Sequence, residues 1–170
     1  MLRRYWDMMR LTGATMENTP TFSLSGLKCV GKVLHVYDGD TLWLAVVYPG
    51  QKVYKYRVRL YGYDAPEIHP SMTLEHREQI MEAARTAKAH LESLLRHAVM
   101  VEVEFFAYDK YGRPLVNLRI AGQKDTINDM MVRDGFGYAY YGGKKAAPNT
   151  SIPLKKNEDT EEKNDASRSI

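Results

Sequence analysis

Five runs rich in β-branched and aromatic residues, a long helical stretch between the third and fourth, and a short helix after the fifth predict a small β-barrel carrying helices. The runs are 27–37, 41–48, 52–62, 99–107 and 114–122. Asp38-Gly39 separates the first two and Pro49-Gly50 closes the second, both turn-forming dipeptides between strand-like sequences. In the third run Tyr54, Tyr56, Val58 and Leu60 alternate with Lys55, Arg57 and Arg59, so one face is apolar and the other cationic. Ile80, Ala84, Ala87, Leu91, Leu94 and Leu95 then recur at helical spacing. Asp109-Lys110-Tyr111-Gly112 turns the chain between the fourth and fifth runs. Thr126, with Asp129 three residues on, reads as a capping box, and Gly135 as the stop of that short helix. This order suits a closed, five-stranded Greek-key barrel of the OB type. A ferredoxin-like order needs a helix after the first strand, where none fits.

The 170 residues, 44% of them hydrophobic, suffice for one core that needs neither metal nor disulfide to fold. Cys29 is the single cysteine, which excludes an intrachain disulfide and any multi-cysteine zinc site; it reads as a small apolar strand residue. The net charge of +3 is mild, so binding a polyanion requires basic residues concentrated at a site. No apolar run approaches the roughly 20 residues that cross a bilayer. Three segments are expected: a loosely ordered N-terminal arm (1–26), the barrel domain (27–143) and a polar, disordered tail (144–170) in which lysines and acids mingle. Arg3, Arg4 and Arg10 with Leu2 and Trp6 faintly resemble an organellar presequence, against which Asp7 argues, and Met16 is an alternative start. No export signal is visible, so a monomer in an intracellular setting, without membrane partners, is expected.

Three short segments carry chemistry. Asp38-Gly39-Asp40-Thr41 is first of all a hairpin turn, and it mimics the opening of a calcium loop without the remaining EF-hand ligands. Asp64-Ala65-Pro66-Glu67 ends the third run; Pro66 has no N–H for a ladder and forces a turn that can aim two carboxylates at one spot. The alternative for that segment is a solvated acidic loop. Asp109 to Arg113, alone, is a turn with charged flanks. Taken together, the strand ends supply Asp40 and Asp64 as oxygen donors for a hard cation, with Glu67 as a third carboxylate. Arg59 and Arg113 offer the planar, bidentate donors that suit a phosphodiester. Attack by water at phosphorus needs a base, and Glu67 is the carboxylate left for it. These are the parts of metal-assisted phosphodiester hydrolysis. Gly142-Gly143-Lys144-Lys145 is no P-loop, and the five histidines lack metal-binding spacing. Trp43 reads as packing, with contact to bases the alternative if it is exposed.

At these positions the sequence resembles the staphylococcal-nuclease-like (thermonuclease) family. VYDGDTLWL, RLYGYDAPE, EAARTAKAHLESLL, DKYGRPLV and INDMMVRDGF stand in the family's order between Leu27 and Tyr141. The resemblance implies a five-stranded OB barrel that cleaves DNA and RNA with little sequence preference, depends on Ca²⁺ and leaves 3′-phosphate ends. It implies Asp40 and Asp64 as calcium ligands, the backbone carbonyl of Ala65 as a further one, and Asp38 reaching the metal through water. Glu67 is then the general base, Arg59 and Arg113 clamp the phosphate, and Lys110, Tyr111 and Tyr141 touch substrate. Tyrosines beside such a groove stack on unpaired bases, which favours single-stranded or frayed DNA or RNA. Family members often carry another long helix after the last barrel strand, for which 144–170 has no apolar stripe. The YYGGKK ending resembles shortened members encoded by large DNA viruses. A catalytically silent OB module that binds nucleic acid or protein is the alternative function.

Overall fold

Three consecutive antiparallel strands open the barrel, and in β2 and β3 buried apolar residues alternate with more exposed ones. They are β1 (Lys28–Val36), β2 (Thr41–Tyr48) and β3 (Lys52–Leu60). The structure, a computed structural model, describes residues 2–48 and 52–141; the readings made for Pro49-Gly50, for Gly142 to Lys145 and for the polar tail lie outside the described residues. After a two-residue strand β4 (Tyr63–Asp64) comes the long helix, and β5 (Val101–Tyr108) and β6 (Pro114–Ile120) complete the wall. The strand order is β1-β2-β3-β6-β5, and antiparallel pairing of β5 with β1 closes the barrel. Its one parallel seam joins β3 to β6. This is the five-stranded OB-type barrel the sequence predicts.

Residues two apart along each strand fill the interior: Leu42, Leu44 and Val46 of β2, Val58 and Leu60 of β3, Val101, Val103 and Phe105 of β5, and Val116 and Leu118 of β6. On β3 the apolar face fades toward the open end, with Tyr56 half-buried and Tyr54 exposed. A helix lies between barrel strands three and four, as its periodicity requires: α2 in the numbering used here (Arg77–Leu95), which buries Ala84, Ala87, Leu91 and Leu95. Cys29 is half-buried against the core. Leu24, within the segment read as an arm, is also part of the core.

The short helix α3 (Ile127–Arg133) begins at the capping box seen in the sequence. Asp129 N–H donates to Thr126 Oγ1 at 3.0 Å, and Thr126 N–H donates back to Asp129 Oδ2 at 3.2 Å. Gly135, at φ 81°, turns the chain away after it. Ile127 and Met131 enter the core, and between them Asn128 performs a different task. Its Nδ2 donates to the carbonyls of Tyr61 (2.8 Å) and Val116 (3.0 Å), and its Oδ1 accepts from Leu118 N–H at 3.1 Å. The parallel seam has only two registered pairs, Arg59 with Leu115 and Leu60 with Val116, so this side chain continues the ladder where the strands part. Asn128→Ala orphans a buried N–H and is expected to cost about 1–3 kcal/mol. Urea denaturation should show a lower midpoint at an unchanged slope.

Two features have no counterpart in the sequence reading. The N-terminal segment contains a helix, α1 (Leu2–Thr12), none of whose residues is buried. Strand β4 pairs with another two-residue strand, β7 (Tyr138–Ala139), which returns the chain to the barrel mouth after α3. Among the described residues no helix is long and apolar enough to cross a membrane.

Candidate active site

The β1–β2 connection is a hairpin turn, closed by Tyr37 N–H and Asp38 N–H donating to the Thr41 carbonyl at 2.9 and 3.2 Å. Within it Asp38 Oδ1 accepts from Asp40 N–H at 3.1 Å, which frees the Asp40 side chain to point inward. Gly39 lets the turn press against the body of the protein. A Cβ there would stand 2.8 Å from Ala65 Cβ and 2.9 Å from Ala87 Cβ, and the Tyr63 hydroxyl donates to the Gly39 carbonyl. Gly39→Ala must lift the turn, and Asp40 with it. An overpacking cost of about 1–3 kcal/mol is expected, measurable as a lower urea midpoint.

Asp40 and Asp64 are 4% and 2% exposed, and both face the guanidinium of Arg59 from β3. Arg59 Nη2 lies 2.6 Å from Asp40 Oδ2 and is also hydrogen-bonded to Asp64 Oδ1. The remaining oxygens are held as well: Thr41 Oγ1 donates to Asp40 Oδ1 at 2.7 Å, and the Tyr138 hydroxyl donates to Asp64 Oδ2 at 2.6 Å. Burial pushes the Asp40 carboxyl up to about 7; Arg59 pulls it down, while Asp38 and Asp64 add to the rise. Burial also raises the Tyr63 and Tyr138 hydroxyls above their usual range, Tyr138 further through its bond to Asp64, so both remain donors at neutral pH.

The β5–β6 turn supplies the second arginine. Asp109 Oδ1 accepts from the N–H groups of Tyr111 (2.8 Å) and Arg113 (2.9 Å), and its Oδ2 takes Arg113 Nε at 2.6 Å. Burial works to raise the Asp109 carboxyl, but these donors outweigh it and hold the group below its ordinary value. Arg113 Nη1 reaches across to Thr41 Oγ1 at 3.1 Å, tying this turn to the β1–β2 turn.

One cleft of about 1000 Å³ is lined by all ten residues named from the sequence: Asp38, Asp40, Arg59, Asp64, Ala65, Glu67, Lys110, Tyr111, Arg113 and Tyr141. They occupy different depths. Asp40 and Asp64 form the floor, Arg59 and Arg113 are half-buried, and Glu67, Lys110, Tyr111 and Tyr141 are exposed at the rim. Glu67 Oε1 makes a long contact with His69 N–H at 3.4 Å. The Tyr111 ring stands beside Lys110 Nζ (4.9 Å) and the Arg113 guanidinium carbon (5.5 Å), and Tyr141 packs edge-on to Tyr61 at 5.7 Å. Thr41, Tyr63 and Tyr138 hold the carboxylates or their turn, and sequence reasoning assigned them no role. Tyr63 adjoins Asp64 within RLYGYDAPE, the one available signal; Tyr138 reaches Asp64 only through the β4–β7 pairing.

The donor set fits a hard divalent cation. Two buried carboxylate oxygens already meet at one positively charged nitrogen, so both face the position of a positive charge. Among the described residues no group of three or more His, Cys, Asp or Glu side chains is arranged around a common metal position. Two carboxylates would therefore be supplemented by backbone carbonyl and water, ligands that Ca²⁺ and Mg²⁺ both accept.

A family model described as staphylococcal nuclease homologue matches residues 57–166, more than half of the chain. The match takes in Arg59, Asp64, Glu67 and Arg113, begins after the Asp38–Asp40 turn, and runs into the polar segment beyond Tyr141. An uncharacterized protein of Bacillus anthracis is 35% identical over 130 residues, which cover 76% of this chain and 55% of that protein. The chain thus spans about half the length of this relative.

Proposed function

The chain belongs to the staphylococcal nuclease homologue family, and on that premise we propose that it is a Ca²⁺-dependent phosphodiesterase. Its substrates are DNA and RNA, cut with little sequence specificity to leave 3′-phosphate ends. The observation that carries this reading is the meeting of Asp40 and Asp64, from separate turns, at Arg59, in a cleft that Glu67 and Arg113 also line. A purely structural ion pair has no need of a second arginine and an exposed carboxylate at the same mouth.

Asp40, Asp64 and the Ala65 carbonyl would hold the ion, with Asp38 reaching it through water. Bound there, Ca²⁺ supplies Lewis-acid polarisation of a phosphoryl oxygen and a template for the substrate. The chain's own groups do the rest. Arg59 and Arg113 neutralise the charge that gathers on the phosphoryl oxygens, donors held in place before the reaction starts. Glu67 takes the proton of the attacking water as the new P–O bond forms and the bond to the 5′-oxygen breaks; that oxygen leaves as a hydroxyl once reprotonated. Lys110 and the rings of Tyr111 and Tyr141 bind the backbone and unpaired bases at the rim, which favours single-stranded or frayed strands.

Incubation of the protein with single-stranded DNA, RNA and duplex DNA, in Ca²⁺, Mg²⁺ or chelator, tests the reading. Cleavage in Ca²⁺, faster on single strands and abolished by chelator, is expected. Binding without cleavage in any metal would make the protein a silent OB module instead.

A further inference from the structure

Helix α1 (Leu2–Thr12) contributes no side chain to the core: none of its residues is buried. At about 100° per residue, Leu2, Tyr5, Trp6 and Met9 gather on one face. These four are 78%, 59%, 62% and 56% exposed, and the Tyr5 and Trp6 rings meet edge to face at 6.2 Å. Arg3 and Arg10 border that face, Arg4 and Asp7 lie behind it, and Met8 and Leu11 fall outside it. Three arginines against one aspartate give the helix two of the chain's three net positive charges. Its exit is held by its own neighbours: Ala14 N–H donates to the Leu11 carbonyl at 3.1 Å, and Asn18 Nδ2 to the Gly13 carbonyl at 2.8 Å. Residues 13–23, all exposed, then lead to Leu24 in the core.

A second copy of the chain is a poor cover for this face. A helix of 11 residues is roughly 16 Å long and 10 Å wide, far less than the roughly 800 Å² that each partner gives a stable dimer. Pairing two such helices also sets arginines against arginines. A polynucleotide calls for cations and rings side by side, and the apolar face itself carries no cation. An anionic lipid surface takes the two kinds of side chain separately: aromatic and aliphatic groups enter the acyl boundary while arginines reach the headgroups above them. We propose that α1 lies flat in the interface of an anionic phospholipid membrane, with Leu2, Tyr5, Trp6 and Met9 inserted and Arg3, Arg4 and Arg10 paired with headgroup phosphates. The expectation of no membrane partner came from the lack of an apolar run long enough to span, and a helix lying in the interface needs none. Residues 13–23 reach at most about 35 Å when extended, enough to hold the barrel clear of the headgroups.

The full chain is sedimented with vesicles of phosphatidylcholine alone, or of phosphatidylcholine mixed with phosphatidylglycerol, in chelator so that no divalent ion bridges protein and lipid. Binding to the mixed vesicles and little to the neutral ones is expected, weakening as salt rises. Tryptophan fluorescence should shift to the blue on binding, and the shift should vanish in Trp6→Phe, which leaves Trp43 in place. Arg3→Gln and Arg4→Gln should each weaken binding by about fivefold, and Leu2→Ser/Trp6→Ser by on the order of tenfold or more. Arg119→Gln removes an exposed cation of the barrel and should bind as the wild type does. Because α1 buries nothing, all these helix variants should melt with the wild type, so that lost binding is not misfolding. A wild type that stays in the supernatant with mixed vesicles overturns the proposal. So does undiminished binding by Leu2→Ser/Trp6→Ser, which would give the lipid to another basic surface. A dimer seen by light scattering, abolished in that double variant and indifferent to vesicles, would assign the face to a second copy and overturn it as well. Cleavage enters none of these readouts, so they stand or fall apart from the nuclease reading.

Discussion

Arg59→Ala is expected to lose two properties at once: metal-free stability and cleavage. The guanidinium is the positive group ion-paired with both Asp40 and Asp64, whose side chains are almost wholly buried. Removing one partner from a buried ionic cluster costs about 3–5 kcal/mol, because the charges left behind have neither water nor a counter-ion. In chelator the melting temperature should fall by on the order of 10 °C. Excess Ca²⁺ should restore more stability to this variant than it adds to the wild type, since the ion then takes over the neutralisation of the two carboxylates. Cleavage should not return with stability. Loss of a preorganised donor to the transition state is worth about 10²–10³ in rate, and calcium cannot replace a group that binds the phosphate. Arg59→Lys separates the effects: an ammonium keeps a positive charge near the carboxylates but lacks the planar fork, so more of the stability than of the rate should survive. A variant Arg59→Ala that melts like the wild type in chelator would show that the carboxylates do not lean on Arg59.

The residues of the cleft were legible because each sits in a short segment whose turn chemistry is local. Gly39 in one and Pro66 in the other follow the ends of β1 and β4, and Asp40 and Asp64 are placed by those ends. The barrel was legible for a similar reason, since strands of seven to nine residues carry a clear period of two. A two-residue strand carries no period, so β4 and β7 left no trace, and with them went the role of Tyr138, whose partner Asp64 lies 74 residues away. Helix α1 escaped differently. Leu2, Tyr5, Trp6 and Met9 share one of its faces, but with no buried residue that face meets no core and the arginines between them resemble a presequence. The outer cation line on β3 was visible as a pattern. What the pattern could not reveal was that Arg57 meets the Tyr37 ring, a contact that depends on how the β1–β2 turn and β3 sit at the barrel mouth.

Glu67→Gln is expected to slow cleavage by about 10²–10⁴-fold while folding and metal binding stay as they are. Glu67 stands exposed at the cleft rim, and among the described residues its carboxylate accepts one long hydrogen bond, from His69 N–H. An amide of the same shape can accept that bond, so thermal melting should coincide with that of the wild type. Calcium titration should also coincide, because the buried floor formed by Asp40 and Asp64 is untouched. The loss should fall on kcat with KM little changed, as expected for an interaction made only as the proton moves. Glu67→Asp adds a test of geometry: it retains the base but draws it back by one methylene, and a misplacement of that size costs on the order of 10²-fold. If Glu67→Gln cut at the wild-type rate, water would be activated without this carboxylate.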